Sequence, residues 1–116
     1  MNTLIPVFKA LSDKNRVRIL KILQVKPLCV CEITEVLGLA ISTTSKHLSI
    51  LKEANLIFEQ REHKWINYYI NQKTQKEYAK EILGLLREWV NDDSIIHNDL
   101  VKASKVSRND LCKGKG

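Results

Sequence analysis

Three side chains of this 116-residue sequence can hold a soft ion: Cys29, Cys31 and Cys112. Thiolates select soft metals and metalloids, and a helix start beside Lys26 lowers the pKa of a thiol. In a regular helix, residues i and i+2 point about 200° apart. Cys29 and Cys31 therefore grip one ion only if that turn is distorted or already irregular, and ligation strains whatever follows. The plainer alternative is two small apolar residues at a helix start. A second group is Ser42, Ser45, Lys46 and Ser49, whose spacing of i, i+3, i+4 and i+7 makes one helical stripe. Short hydroxyls let a helix approach phosphates or base edges closely, and Lys46 reaches guanine or phosphate. Thr43 and His47 flank the stripe. Arg61, His63 and Lys64 form a third group, a cationic tip suited to phosphates. Arg16, Arg18 and Lys21 read as solvated charge.

These groups need elements to position them. Leu4, Val7, Phe8 and Leu11 give helical spacing over 3–11. Ser12 and Asp13 supply cap chemistry for a helix over Lys14–Gln24, which Lys26-Pro27 interrupts. A short helix over Glu32–Leu37 stops at Gly38, and Ser42 or Thr43 caps the next, which runs to about Ala54 with Asn55 left-handed. Along it Thr44, Leu48 and Leu51 make the inner side, with Ile41 just before. Leu56–Arg61 and Trp65–Ile70 flank a polar break, a β-hairpin signal. A long helix over 74–90 has two apolar stripes, Tyr78/Ile82/Leu85/Trp89 and Ala79/Leu83/Leu86/Val90. One side of contact covers only one stripe, so a symmetric partner is expected on the other. Ser94–Lys105 makes one more helix, and 107–116 reads as a mobile end.

A short helix, a Gly turn, a capped helix and a hairpin follow the order of a winged helix-turn-helix, whose second helix enters the major groove. The fold class is therefore mainly α with a β-hairpin wing, homodimeric. Residues 1–92 form the DNA-binding and dimerisation domain, and 93–116 a C-terminal helix and tail. A net charge of +6 suits a polyanionic partner. No secretory signal and no apolar run of about 20 residues is present, and the cysteines do not make a disulfide framework. A reduced, cytoplasmic protein away from membranes is expected. Nothing suggests an enzyme: phosphate loops, HExxH and serine elbows are missing, and His47, His63 and His97 do not cluster.

The chain resembles the arsenical-resistance repressor family, ArsR/SmtB. Ala10-Leu11-Ser12-Asp13, Arg16-Val17-Arg18-Ile19-Leu20, Leu28-Cys29-Val30-Cys31-Glu32-Ile33, the run from Ser42 to Ile57 and the hairpin carry the likeness over about 3–90. The resemblance implies a homodimer paired through the first and long later helices, bound to double-stranded operator DNA. It implies that Cys29 and Cys31 hold the inducer, arsenite or antimonite, and that no other cofactor is required. Trivalent arsenic prefers three thiolates, and some members have a third cysteine where this chain has Thr34. Either Cys112 supplies the third ligand, or two thiolates suffice, with or without a small third group. The long-helix zinc site of sibling members is not expected, since 74–90 holds no histidine. The function expected is a repressor of an arsenic-resistance operon. The alternative is a thiol-redox regulator using the same cysteines.

Overall fold

The computed structural model describes residues 1–106. Helices α1 (Leu4–Leu11) and α2 (Lys14–Leu23) open the chain. The extended Asp13 starts α2, its carboxylate accepting the N–H of Asn15 at 2.7 Å and of Arg16 at 3.2 Å. That satisfies two donors a helix start otherwise leaves open. A two-residue strand, β1 (Leu28–Cys29), runs straight into α3 (Val30–Leu37), which starts two residues earlier than the periodicity predicts. Gly38 closes α3 with φ 72°, the left-handed conformation glycine adopts without penalty.

Helix α4 (Ile41–Glu53) follows after a three-residue turn, and Asn55 ends it with φ 64° as expected. Strands β2 (Ile57–Glu62) and β3 (Trp65–Ile70) form the hairpin, in register from Ile57 against Ile70 to Glu62 against Trp65. The two-residue turn has φ 60° at His63, where a type II′ turn places positive φ. Strand β1 pairs with the other edge of β3, Cys29 facing Asn67, so the antiparallel sheet runs β1-β3-β2. Two residues are too few for periodicity to reveal β1. The expected winged helix-turn-helix is the fold the chain adopts.

The core lies under α2, α3, α4 and the base of the wing: Ile19, Leu20, Ile22, Ile33, Leu48, Leu51, Leu56 and Ile57 are buried together. Each such side chain stabilises the fold by about 1.5–3 kcal/mol. Helix α5 (Glu77–Leu86) is shorter than the 74–90 expected. Side chains from α2 and its C-cap take the last carbonyls of α5: Gln24 Nε2 donates to Leu83 O at 3.1 Å and Lys21 Nζ to Leu86 O at 2.9 Å. Beyond it, Val90 has φ 52°. Of the two stripes, Ala79, Leu83 and Leu86 pack inward, while Tyr78, Leu85 and Trp89 are exposed, Trp89 by 45%. Ile5 and Phe8 of α1 are exposed too, and α1 touches α5.

Helix α6 (Ser94–Ala103), capped by Asp93, packs on α2 and α3. Asp99 is 2% exposed and accepts from Arg18, Nε at 2.8 Å and Nη2 at 3.0 Å. Arg16, Arg18 and Lys21 are therefore not solvated charges: each is mostly enclosed and hydrogen-bonded. Among the described residues no helix is long and apolar enough to cross a membrane.

Candidate DNA-reading surface and thiol pair

Helices α3 and α4, joined at Gly38-Leu39-Ala40, present one outer face. Thr44, Leu48 and Leu51 turn inward and fix the rotation of α4. Ser42, Thr43, Ser45, Lys46 and Ser49 are all exposed on its other side. The N-cap of α4 is Ala40, not Ser42 or Thr43, and no side chain caps it. Both hydroxyls thus sit inside the first turn, free of a capping bond. Ile41, expected on the inner side, is exposed.

His47 is half-buried, and its Nδ1 lies 3.1 Å from Arg16 Nη1. Arg16 was not expected here. The signal for it lay in α2 itself: at about 100° per residue Arg16 falls between Leu20 and Leu23 within the apolar arc, while Lys14, Arg18 and Lys21 share the opposite side.

The wing offers Arg61, His63 and Lys64, all exposed around its tip. Lys64 Nζ stands 5.4 Å over the Trp65 ring, a cation–π contact that restrains the side chain. Glu62 accepts from Tyr69 Oη at 2.6 Å and from Asn67 Nδ2, which stiffens the ribbon below the tip. Phe58 and Tyr69 stack on it at 5.1 Å. Lys52 at the end of α4 pairs with Glu59 at 2.7 Å, joining helix to wing. Hydroxyls, one lysine and a cationic ribbon thus form a surface able to bond phosphates and base edges.

Cys29 and Cys31 sit at the junction of β1 and α3. Cys29 is the N-cap, extended at φ −87° and ψ 170°, and lies outside the helical geometry that would drive the two side chains apart. Its N–H donates to Glu32 Oε1 at 2.9 Å, and its sulfur faces the N–H of Glu32, a capping box. The expected lowering of the thiol pKa is reversed at Cys29. The residue is 2% exposed, and burial pushes the thiol up beyond what the N–H groups of Glu32 and Cys31 take back. Cys31, half-buried in the first turn of α3, is not the reduced thiol expected: it is disulfide-bonded, and it can take an ion only after reduction. One turn further along, Thr34 Oγ1 is buried with no hydrogen-bond partner among the described residues. Cys112, the third candidate ligand, lies outside the described residues. Among the described residues no group of three or more His, Cys, Asp or Glu could hold a metal ion.

The family model described as bacterial regulatory protein, arsR family, matches residues 13–58. The chain is 32% identical over 93 residues to an arsenic resistance transcriptional regulator of Pseudomonas putida, across 77% of this chain and 73% of that one. It is 38% identical over 82 residues to the arsenical resistance operon repressor of Bacillus subtilis, across 70% and 71%. Its fold is similar to a homodimeric winged helix-turn-helix DNA-binding domain of Mycobacterium bovis, a possible ArsR-family regulator. There the TM-score is 0.65 at 24% identity, covering 79% of this chain and 82% of that one. On the family match and the two resistance regulators, this chain belongs to the arsR family of bacterial regulatory proteins, which are transcriptional repressors and not enzymes.

Proposed function

We propose that this protein represses an arsenic-resistance operon, binding double-stranded operator DNA as a homodimer and leaving it when arsenite or antimonite engages Cys29 and Cys31. The observation that carries the reading is the place of the thiol pair, at the first turn of the helix that supports α4. On this reading Ser42, Thr43, Ser45, Lys46, His47 and Ser49 meet the groove, and Arg61, His63 and Lys64 meet phosphates. The exposed residues of α1, α5 and the turn after it, Ile5, Phe8, Tyr78, Leu85 and Trp89, form the dimer face. The homodimeric relative supports that pairing. Residues 1–92 carry both tasks, with 93–116 appended.

Once Cys31 is reduced, the donor set suits a soft trivalent ion: two sulfurs, and either Cys112 or the orphaned Thr34 hydroxyl as a third group. Cys29 joins three structures, the pairing of β1 with β3, the capping box and the start of α3. Drawing its sulfur toward Cys31 disturbs all three and tilts α3, and with it the turn that aims α4. Binding releases thiol protons, more so because the Cys29 thiol rests protonated.

Fluorescence anisotropy on a duplex from the protein's own promoter tests this. Reduced wild type should bind with an affinity that falls steeply with salt and should leave on arsenite addition. Cys29→Ser and Cys31→Ser should bind and stay. Release of those variants by arsenite would end the proposal. Release by peroxide alone, reversed by reductant, would favour the redox regulator.

A further inference from the structure

We infer that Arg16 is a positioning residue for DNA recognition, holding His47 in a single tautomer and fixing α4 against the end of α1; this rests on the reading of α4 as the groove-facing helix. Arg16 is only 9% exposed and three of its donors are placed. Nε donates to Ala10 O at 2.9 Å and Nη2 to Lys9 O at 3.0 Å, both in the last turn of α1. Nη1 meets His47 Nδ1 at 3.1 Å. A guanidinium has no acceptor, so Nδ1 must accept and carries no proton. The ring proton is then on Nε2, the nitrogen away from Arg16. His47 stands between the exposed Lys46 and the buried Leu48, and an outer N–H suits a phosphate oxygen or the acceptor edge of guanine or thymine. The stripe otherwise offers only hydroxyls and one lysine, so this donor is the single planar, directed one on α4.

The second consequence is mechanical. The guanidinium is a rigid planar fork, so the end of α1 and the middle of α4 cannot shift independently. Helix α1 also carries Ile5 and Phe8 of the proposed dimer face. In a symmetric dimer the two groove-facing helices must sit about 34 Å apart, and any tilt between α1 and α4 enters that spacing twice. Arg16 is thus the side chain through which dimer geometry reaches the helix that reads DNA.

The test uses the full reduced chain. Long-range proton–nitrogen NMR of the His47 ring should show a bare Nδ1 and a protonated Nε2, and Arg16→Lys should mix the tautomers. In anisotropy titrations against the promoter duplex, Arg16→Lys and His47→Ala should each weaken binding on the order of tenfold. The double variant should lose less than the product of the two single losses, because both break the same contact. His47→Ala leaves the bonds from Arg16 to α1 intact, so it carries the test even if Arg16→Lys does not fold. A proton on Nδ1 in wild type, unchanged affinity in His47→Ala, or losses that multiply in the double variant would each overturn the inference. Lys46→Ala separates the two claims. If it weakens binding while His47→Ala does not, only the role of Arg16 falls. If neither changes binding, α4 is not the groove-facing helix and both fall.

Discussion

Replacing Asp99 by Ala should detach α6 from the body of the protein at a cost of about 3 kcal/mol. The figure follows from the bonds that Asp99 makes and from its burial. It accepts two charged hydrogen bonds from Arg18, at 2.8 and 3.0 Å, and is itself 2% exposed. Removing one partner of a buried ion pair costs about 3–5 kcal/mol, because the other charge is left without its counter-ion. Arg18 is not stranded completely. It still reaches Asn15 Oδ1 at 2.9 Å and Leu37 O at 3.4 Å, and 15% of its side chain is exposed. Those remaining partners place the loss at the lower end. With a urea slope of about 1.5 kcal/mol/M, the unfolding midpoint should fall by about 2 M at fixed protein concentration. The double variant Arg18→Met with Asp99→Leu should recover most of that, since an apolar pair of similar volume leaves no buried charge. A midpoint for Asp99→Ala within about 0.5 M of wild type would refute the anchoring role. So would a double variant as unstable as the single one.

Gly38→Ala should cost about 1 kcal/mol in thermal or urea unfolding, all of it backbone strain at φ 72°, because a Cβ there meets nothing within 4 Å. Asp13→Ala should cost about 1 kcal/mol at neutral pH as a lost cap. Burial pushes Asp13 up, but the N–H groups of Asn15 and Arg16 with the nearby charge of Arg16 outweigh it and hold the carboxyl below its ordinary 3.8. Its contribution is then present above that value and lost as pH falls through the folded value, so the variant's stability should vary less with pH on the acid side. For Cys29 the sign is opposite: burial raises the thiol above its ordinary 9.0, so its contribution holds below that pH and fades as pH rises. Wild type should lose stability as pH rises above about 9 by more than Cys29→Ala does, read by urea melts. Lys46→Ala removes one cation from each half of the proposed dimer and should lower the slope of log affinity against log salt by about 2. Lys21→Met should leave that slope alone and cost about 2 kcal/mol of stability, through bonds to Leu86 O and Asn91 Oδ1.

What the sequence made legible was set by local chemistry. The Asp13 cap, the Gly38 stop and the left-handed Asn55 are properties of single residues, and all three stand where their side chains predict. The inner row Thr44, Leu48 and Leu51 follows from helical period alone, and it leaves the polar stripe of α4 outside. Long-range partners were not legible. The end of α5 at Leu86 depends on Lys21 and Gln24, some 60 residues earlier. The missing cap at Ser42 has the same character. Serine and threonine propose a helix start, but the turn from Gly38 to Ala40 begins the helix two residues before a Ser42 cap would. For Cys29 the helix start argued for a low thiol pKa, and the strand that buries the residue was too short to see.

The three cations of α2 show why net charge overstates the field at the DNA face. Arg16 donates to Lys9 O and Ala10 O at the end of α1, Arg18 to Leu37 O at the end of α3, and Lys21 to Leu86 O at the end of α5. The last carbonyls of a helix have no donor of their own and carry a partial negative charge. Spaced at i, i+2 and i+5, these side chains leave α2 in different directions, and each closes a different helix end. The central helix thereby keeps an apolar arc in the core and still binds three neighbours by directed bonds. Those cations are committed within the fold, so on the proposed reading counter-ion release on DNA comes from others, with Lys46 on α4 and Arg61 and Lys64 on the wing the exposed ones at the proposed site. A surface of few cations and many hydroxyls depends on close approach more than on charge. Close approach in turn demands an accurately aimed α4, which is the demand that Arg16 on one side and the Cys29 junction on the other are placed to meet.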